Sequence, residues 1–308
     1  MPFFSVIIPS YNRAHLIAAT IRSVLSQSFI DWELILIDDG SSDNTKEVVE
    51  SFADSRIKYF YQENAERCVA RNNGITQAAG QFICFLDSDD IWLPEHLQTL
   101  YRALEENKFM RAVYFTAMCW CFDNGKRQNV VFDSPQHQNR IEYVIKNQIA
   151  PSTQCISKEI LVQHKFNAAL RINEDVELNA RIVNEYPLIQ IPKVTVEMIV
   201  HNENTKALEK DYISPQLKAM KIIFSNPVLK NKISSSFKRY RMAKLEHLLI
   251  NYYLETKQFS KMNKAIVWFL ICYPNQVLNK SKVILLLYHM PGGRIVELAV
   301  KCLKMKKR

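Results

Sequence analysis

The sequence predicts an α/β fold built on a doubly wound, mostly parallel sheet, with an all-helical appendage at its C-terminal end. Short apolar runs alternate with amphipathic segments through the first third of the chain, a pattern typical of a parallel sheet with helices on both faces. Several of these runs end in polar turns rich in Asp and Asn, as strands do where open α/β sheets bind ligands. Beyond residue 205 the apolar spacing becomes helical.

The predicted elements of the first third alternate regularly. Strands are expected at about 3–9, 33–38, 57–61 and 82–86, and helices at about 15–28, 43–52, 67–79 and 94–107. Pro94 stands at the start of the last helix, where a first-turn proline is tolerated. The pattern then becomes mixed, with longer strands expected at 112–122 and 193–201 and a helix at 176–186.

The charge distribution divides the chain into two predicted domains, residues 1–205 and residues 206–308. The first holds 19 Lys and Arg against 26 Asp and Glu and the second 21 against 5, which gives net charges of −7 and +16. The second domain is expected to contain a helix with an apolar stripe at 233–253 and its antiparallel partner at 261–274. This basic region predicts contact with an anionic membrane surface or a phosphorylated substrate, or packing in a homo-oligomer with its charges solvated.

Composition argues against several classes of protein. With 48% hydrophobic residues, the chain is not disordered as a whole. No zinc-finger spacing or aromatic RNA-binding pattern accompanies the basic charge, so no nucleic-acid partner is expected. The seven cysteines are scattered without a CxxC pair, which indicates reduced thiols and a cytoplasmic compartment.

Membrane insertion is not expected from the sequence. The start of the chain lacks the basic segment of a signal peptide. The longest apolar runs, at 265–273 and 283–290, are shorter than the roughly 18 residues of a membrane-spanning helix. We therefore expect a cytoplasmic protein that is either free or peripheral on the inner face of the membrane.

The most informative stretch is 82–90, FICFLDSDD, in which an apolar run ends in three carboxylates. Asp87, Asp89 and Asp90 should lie at the carboxyl end of a buried strand. Oxygen ligands suit Mg²⁺ or Mn²⁺, and an ion held by one or two carboxylates keeps positions free for diphosphate oxygens. Asp87-Ser88-Asp89 also matches the DxD pattern of nucleotide-sugar transferases. The alternative is that acids gather in this loop only because loops are solvated.

Further motifs follow in a characteristic order along the first two thirds of the chain. They are Pro9-Ser10-Tyr11-Asn12-Arg13, Ser23 with Gln27, Asp38 to Thr45, Ala70-Arg71-Asn72, Asp87 to Asp90, and Glu174-Asp175. With this set, the chain resembles the family 2 glycosyltransferases of the GT-A fold over roughly residues 3–203. The resemblance implies a bacterial enzyme that uses a nucleotide-sugar.

The resemblance implies a set of donor-binding residues. Its expected members are Pro9, Tyr11, Arg13, Asp39, Arg71, Asp87 and Ser88. Tyr11 would stack on a pyrimidine ring and Asp39 would accept the N3–H of uracil, unless Tyr11 packs in a turn and Asp39 only caps one. Arg71 and Arg13 would bring positive charge to the diphosphate, although exposed arginines are usually only solvated.

The metal ligands and the catalytic base are also implied by the resemblance. Asp89 and His201 would bind Mn²⁺ or Mg²⁺, with Asp87 reaching the ribose or a metal-bound water; a strand-end histidine is otherwise structural. Asp175 would be the general base, because a helix N-terminus favours its ionised form. The alternative is that Glu174 and Asp175 only complement the helix dipole.

These observations together predict an inverting, metal-dependent glycosyltransferase. The expected donor is a UDP-sugar, and the expected acceptor is a glycan or lipid-linked intermediate of cell-surface polysaccharide, such as capsule or lipopolysaccharide. One alternative is a polyprenyl-phosphate glycosyltransferase that uses GDP-mannose or a UDP-sugar. Another is a catalytically silent GT-A adaptor at the membrane. The intact acids Asp39, Asp87, Asp89 and Asp175 argue against the silent module.

Overall fold

A computed structural model of the chain describes residues 1–201 and 211–272. These residues form two compact units, one made of 1–201 with 225–232 and the other of 211–224 with 233–272. The domain boundary predicted at 205 lies outside the described residues and stays a prediction. So does the structure of the apolar run at 283–290.

In the first unit the described strands alternate with helices. The described elements of the second unit are all helices. The strands are β1 (Phe4–Ser10), β2 (Trp32–Asp39), β3 (Ile57–Gln62), β4 (Phe82–Phe85), β5 (Ile91–Trp92), β6 (Val113–Phe122), β7 (Arg127–Val130), β8 (Gln154–Ser157) and β9 (Leu188–Val200). The helices of the first unit are α1 (Ile17–Leu25), α2 (Thr45–Glu50), α3 (Glu66–Gln77), α4 (His96–Glu106), α5 (Arg140–Asn147), α6 (Lys158–Gln163) and α7 (Glu174–Glu185). Those of the second are α8 (Ile213–Ser225, whose last residue belongs to the first unit), α9 (Ser235–Glu255) and α10 (Phe259–Cys272).

The described strands form one sheet in the order β3-β2-β1-β4-β8-β6-β9-β5, with β7 beside β6. Strand β1 pairs in parallel with β2 and β4, and β2 pairs in parallel with β3, so the carboxyl ends of these strands meet at one edge. Strand β8 then runs antiparallel to both β4 and β6. The predicted α/β fold class is confirmed, and the mixed half of the sheet begins after β4.

Every residue of β2 is buried, as expected for a strand covered by helices on both faces. Among the boundaries that differ from the sequence prediction, two lie beside prolines. Helix α4 begins at His96, with Pro94 before it. Strand β9 begins five residues earlier than expected, because the pairing with β6 skips Pro192 and Lys193 in an irregularity that accommodates the proline, which has no N–H to donate.

Helices α9 and α10 have a small apolar core of their own. Its buried members are Ala243, Ile250, Met262, Ile266 and Phe269. The predicted helix pair is therefore present, joined by 256–258. Within the ranges that the structure describes, no helix combines the length and apolarity needed to cross a membrane.

Helix α3 lies very close to β1 at Gly74. A Cβ at this position would overlap Cγ2 of Ile7, a fully buried residue of β1. Because Cγ2 is attached directly to the branched Cβ of Ile7, it cannot turn away without moving the rest of the side chain. This contact fixes the distance at which α3 carries Arg71 past the sheet.

We predict that Gly74→Ala destabilises the protein. The gain in helix propensity is about 1 kcal/mol, whereas overpacking a core contact costs about 1–3 kcal/mol. Chemical denaturation should show a net loss, and the same substitution in an Ile7→Ala background should be neutral or stabilising, because Cγ2 is gone. A loss of equal size in both backgrounds would exclude this contact as the cause.

Candidate active site

The candidate site lies where the parallel strands β1, β2 and β4 end and where helix α7 begins. Ser10 and Asp39 are the last residues of β1 and β2, and the acidic loop 87–90 follows β4 almost at once. Asp175 is in the first turn of α7. The fold thus brings four segments that are far apart in sequence to one edge of the sheet.

An ion cluster centred on the buried Arg71 joins two of these segments. The guanidinium of Arg71, on α3, donates from Nη2 to Oδ1 of Asp87 at 2.7 Å and from Nη1 to Oε1 of Glu174 at 2.9 Å. Arg71 is 2% exposed and Glu174 is 4% exposed. Burial alone would lower the pKa of Arg71, but the two carboxylates raise it above its ordinary value. The cluster therefore ties the acidic loop to the first turn of α7.

The acidic loop is also held by Ser152, which sequence analysis missed. Ser152 Oγ accepts a hydrogen bond from the Asp87 N–H at 3.1 Å and donates to Oδ2 of Asp90 at 2.6 Å. Its carbonyl accepts from Nε1 of Trp92 at 2.8 Å. Asp90 is 3% exposed, and burial followed by Asp87 and Asp89 raises its pKa well above the usual range. Asp90 thus has a structural role in the loop.

Asp89 faces His201, which follows β9. Oδ2 of Asp89 and Nε2 of His201 are 3.1 Å apart, and both side chains are about one-sixth exposed. Burial and the neighbouring Asp87 raise the pKa of Asp89, while Arg13 and His201 oppose the rise. The carboxylate oxygen suits Mn²⁺ or Mg²⁺, and imidazole nitrogen is a common metal ligand. Among the described residues no group of three or more Asp, Glu, His or Cys side chains is placed where it could hold a metal ion, so a bound ion would need further oxygen ligands.

Asp175 is partly exposed. Oδ1 accepts a hydrogen bond from the Val176 N–H at 2.8 Å. Burial, followed by repulsion from Glu174, raises the pKa of Asp175 to about 7, although Arg71 acts in the opposite direction. Burial therefore opposes the helix N-terminus, which favours the ionised form of this group, and the role of Asp175 as the base stays a prediction.

The donor-side residues lie at the ends of β1 and β2. Asp39 is 4% exposed, and its Oδ1 accepts hydrogen bonds from Gln62 and from the Ala65 N–H. Tyr11 is 49% exposed just beyond β1, so its ring is accessible for stacking.

The remaining donor-side candidates differ in what they present. Pro9 is a partly exposed residue within β1. Ser88 contributes its carbonyl to the packing, since Thr20 Oγ1 donates to it at 3.0 Å. Arg13 is partly exposed and its charge acts on Asp89. Arg71 has both terminal nitrogens bound to carboxylates, so its predicted contact with the diphosphate stays a prediction.

A parallel sheet with an Asp-Ser-Asp loop at its strand ends is the arrangement expected for the glycosyltransferases that the sequence resembles. The family model described as "Glycosyl transferase family 2" matches residues 5–156. Through this segment the chain belongs to glycosyl transferase family 2, as its resemblance implied.

Curated relatives share part of the chain. It is 52% identical over 95 residues to the UDP-Glc:alpha-D-GlcNAc-diphosphoundecaprenol beta-1,3-glucosyltransferase WfgD of Escherichia coli, a match to 30% of this chain and 38% of the relative. It is 44% identical over 110 residues to the GalNAc(5)-diNAcBac-PP-undecaprenol beta-1,3-glucosyltransferase of Campylobacter jejuni, a match to 34% and 36%. The matched part of the chain thus spans well under half of the length of each of these relatives.

Solved structures match over most of the chain. S. aureus TarS 1–349 in complex with UDP-GlcNAc superposes with a TM-score of 0.62 at 19% identity, covering 88% of this chain and 81% of TarS. The Pyrobaculum calidifontis mannosyltransferase PcManGT, in complex with GDP-Man and Mn²⁺, gives a TM-score of 0.58 at 15% identity, covering 88% and 85%. These likenesses confirm the GT-A fold.

We predict that kcat/KM falls as the pH drops below about 7, because only the ionised form of Asp175, whose pKa is raised to about 7, can accept a proton. The profile should be measured with saturating metal. A carboxylate with an ordinary pKa would keep the activity nearly constant down to about pH 5, and such a profile would contradict Asp175 as a base in this environment.

Proposed function

We propose that the protein is an inverting, metal-dependent glycosyltransferase that moves a sugar from a UDP-sugar to a hydroxyl of a lipid-linked glycan in bacterial cell-surface polysaccharide synthesis. The observation that carries the proposal is the Arg71 ion cluster. It links Asp87, on the donor side, to the turn that holds Asp175, on the acceptor side. One buried cation thus fixes the distance between the donor-side loop and the acceptor-side turn.

The chemistry assigned to each residue follows from its setting. Asp175, with its pKa near 7, takes the proton from the acceptor hydroxyl. Asp89 and His201 would hold Mn²⁺ or Mg²⁺, which supplies positive charge to offset the charge that develops on the departing diphosphate. With a single base on the acceptor side, the hydroxyl displaces the nucleotide directly, and the anomeric configuration inverts.

The choice of donor and acceptor is supported by the relatives. The E. coli relative is named for UDP-Glc and a diphosphoundecaprenol acceptor, and the C. jejuni relative for a PP-undecaprenol acceptor. A UDP-sugar and a lipid-linked acceptor are therefore favoured over GDP-mannose, whose presence in PcManGT is matched here only at the level of fold.

We predict that Asp89→Ala abolishes the metal-dependent part of UDP binding while the unliganded protein keeps its melting temperature. Calorimetry with UDP and Mn²⁺ measures the first, and thermal unfolding the second. GDP serves as the comparison nucleotide for the wild type, because preference for GDP would favour the mannosyl alternative. Wild-type UDP affinity in Asp89→Ala would remove this residue from the metal site.

Asp175→Asn should keep donor binding and lower turnover by about two to four orders of magnitude, since the amide preserves shape but cannot accept the proton. Single-turnover kinetics isolates the chemical step. Proton NMR of the wild-type product should show a β-linkage from an α-linked donor. A variant that retains more than about a tenth of the wild-type rate would point to another base.

We also propose that the second unit contacts an anionic membrane surface. On α10, Val267 is 41% exposed and Trp268 59% exposed, while Lys261 and Lys264 are exposed nearby. The Trp268 side chain is hydrogen-bonded to Glu246 of α9, so its polar group is satisfied while the ring remains accessible. Exposed aromatic and basic groups on one helix suit shallow insertion among acidic headgroups.

We predict that the full chain sediments with anionic vesicles at low salt, and that a Trp268→Ser, Lys261→Gln, Lys264→Gln variant binds more weakly. Each Lys near an anionic leaflet contributes about 1 kcal/mol, so binding should also decline with salt. A variant with Lys46→Gln and Lys126→Gln, two exposed lysines of the first unit, is the control. Equal binding by both variants would refute a role for α10.

A further inference from the structure

Asp39 is held by a short polar relay at the end of the sheet. Asp39 and Gln62 are register partners on the parallel strands β2 and β3. Gln62 Nε2 donates to Oδ1 of Asp39 at 2.6 Å, and the main-chain N–H of Ala65 donates to the same oxygen at 2.9 Å. Asn64 Nδ2 donates to the Asp39 carbonyl at 2.9 Å. Both the backbone and the carboxylate of Asp39 are thereby fixed by residues 62–65.

The turn after Asp39 fits closely against this segment. Gly40 has a φ of +84°, and a Cβ there would lie 2.8 Å from the Asn64 nitrogen. Only glycine combines that backbone conformation with so close an approach. The carboxylate therefore sits on a rigid turn, and its direction depends on the side chains that contact it.

The orientation of the Gln62 amide is set from both ends. Asn73, on α3, donates from Nδ2 to Gln62 Oε1, which leaves the Gln62 NH₂ group to face Asp39. The flipped amide would place Oε1 against a carboxylate oxygen, an arrangement with no proton between two acceptors. Asn73 thus donates to Gln62 and Gln62 donates to Asp39, so the hydrogen bonds run in one consistent direction and end on the carboxylate.

The relay determines what Asp39 can recognise. With Oδ1 occupied by two protein donors, Oδ2 accepts no hydrogen bond among the described residues and remains a fixed acceptor on a side chain that is only 4% exposed. A base with a ring N–H, such as uracil, satisfies it. Cytosine presents a lone pair at the equivalent ring nitrogen and would leave two acceptors facing each other.

We propose that Gln62, oriented by Asn73, is a positioning residue that makes Asp39 selective for a nucleobase with a ring N–H. The inference rests on the proposed function, since it requires that the site bind a nucleoside diphosphate. It assigns a role in donor choice to two residues that lie outside the acidic loop and outside the catalytic turn.

The test compares UDP and CDP binding, by competition calorimetry with Mn²⁺, in the wild type, Gln62→Leu and Asn73→Ala. Gln62→Leu should reduce the preference for UDP over CDP by about tenfold to a hundredfold, the equivalent of one charge-assisted hydrogen bond, mainly through weaker UDP binding. Asn73→Ala, an exposed helix position that should not disturb folding, should shift the ratio in the same direction by a smaller factor.

Gln77→Leu is the matched control, because it makes the same Gln-to-Leu change at an exposed site on α3, one turn after Asn73. It should leave both affinities unchanged. If Gln62→Leu weakens UDP and CDP by the same factor, or neither, the relay does not set selectivity and the inference is wrong. If the wild type binds no nucleoside diphosphate at all, the proposed function itself fails, a result distinct from an unchanged ratio.

Discussion

The buried guanidinium of Arg71 is the constraint on which the site depends. It is almost inaccessible to water, and each of its terminal nitrogens meets a carboxylate from a different part of the chain. Losing the guanidinium would leave the buried carboxylate of Glu174 without its main counter-charge, which is far more unfavourable than losing a surface ion pair. The acidic loop and the start of α7 are therefore held in one arrangement, even though Asp87 and Glu174 are 87 positions apart in the sequence.

This arrangement explains why two neighbouring acids behave differently. Glu174 contacts Arg71 directly, whereas Asp175 turns to the Val176 N–H and stays close to Glu174. Because Glu174 pairs with Arg71, Asp175 is left in a partly buried place beside the negative charge of Glu174. The pKa of Asp175 rises to about 7. A structural acid and a candidate base are thus distinguished by environment, not by residue type.

Much of the fold could be predicted because its signals are local. The strand leading into Asp87 is a short apolar run that ends in a cluster of acids, and such runs alternate with helices from the start of the chain. Ser152 could not be predicted, because nothing in its own surroundings marks a serine that meets Asp90, 62 residues away. The pKa of Asp175 and the role of Gln62 likewise arise from tertiary burial and pairing. The metal-binding role of His201 remains a prediction from resemblance, supported here by its contact with Asp89.

Replacing Arg71 by Met tests most directly whether this cation organises the site, because Met keeps much of the volume and removes the charge. Unfolding free energy and calorimetric UDP binding with Mn²⁺ should be measured together, with Arg67→Met on the same helix as control. We expect Arg71→Met to lose about 3–5 kcal/mol of stability and most of its UDP affinity. Arg67 is 36% exposed and 3.9 Å from Glu174, so its replacement should have a much smaller effect. An Arg71→Met protein with wild-type stability and UDP affinity would contradict the claim that this cation organises the site.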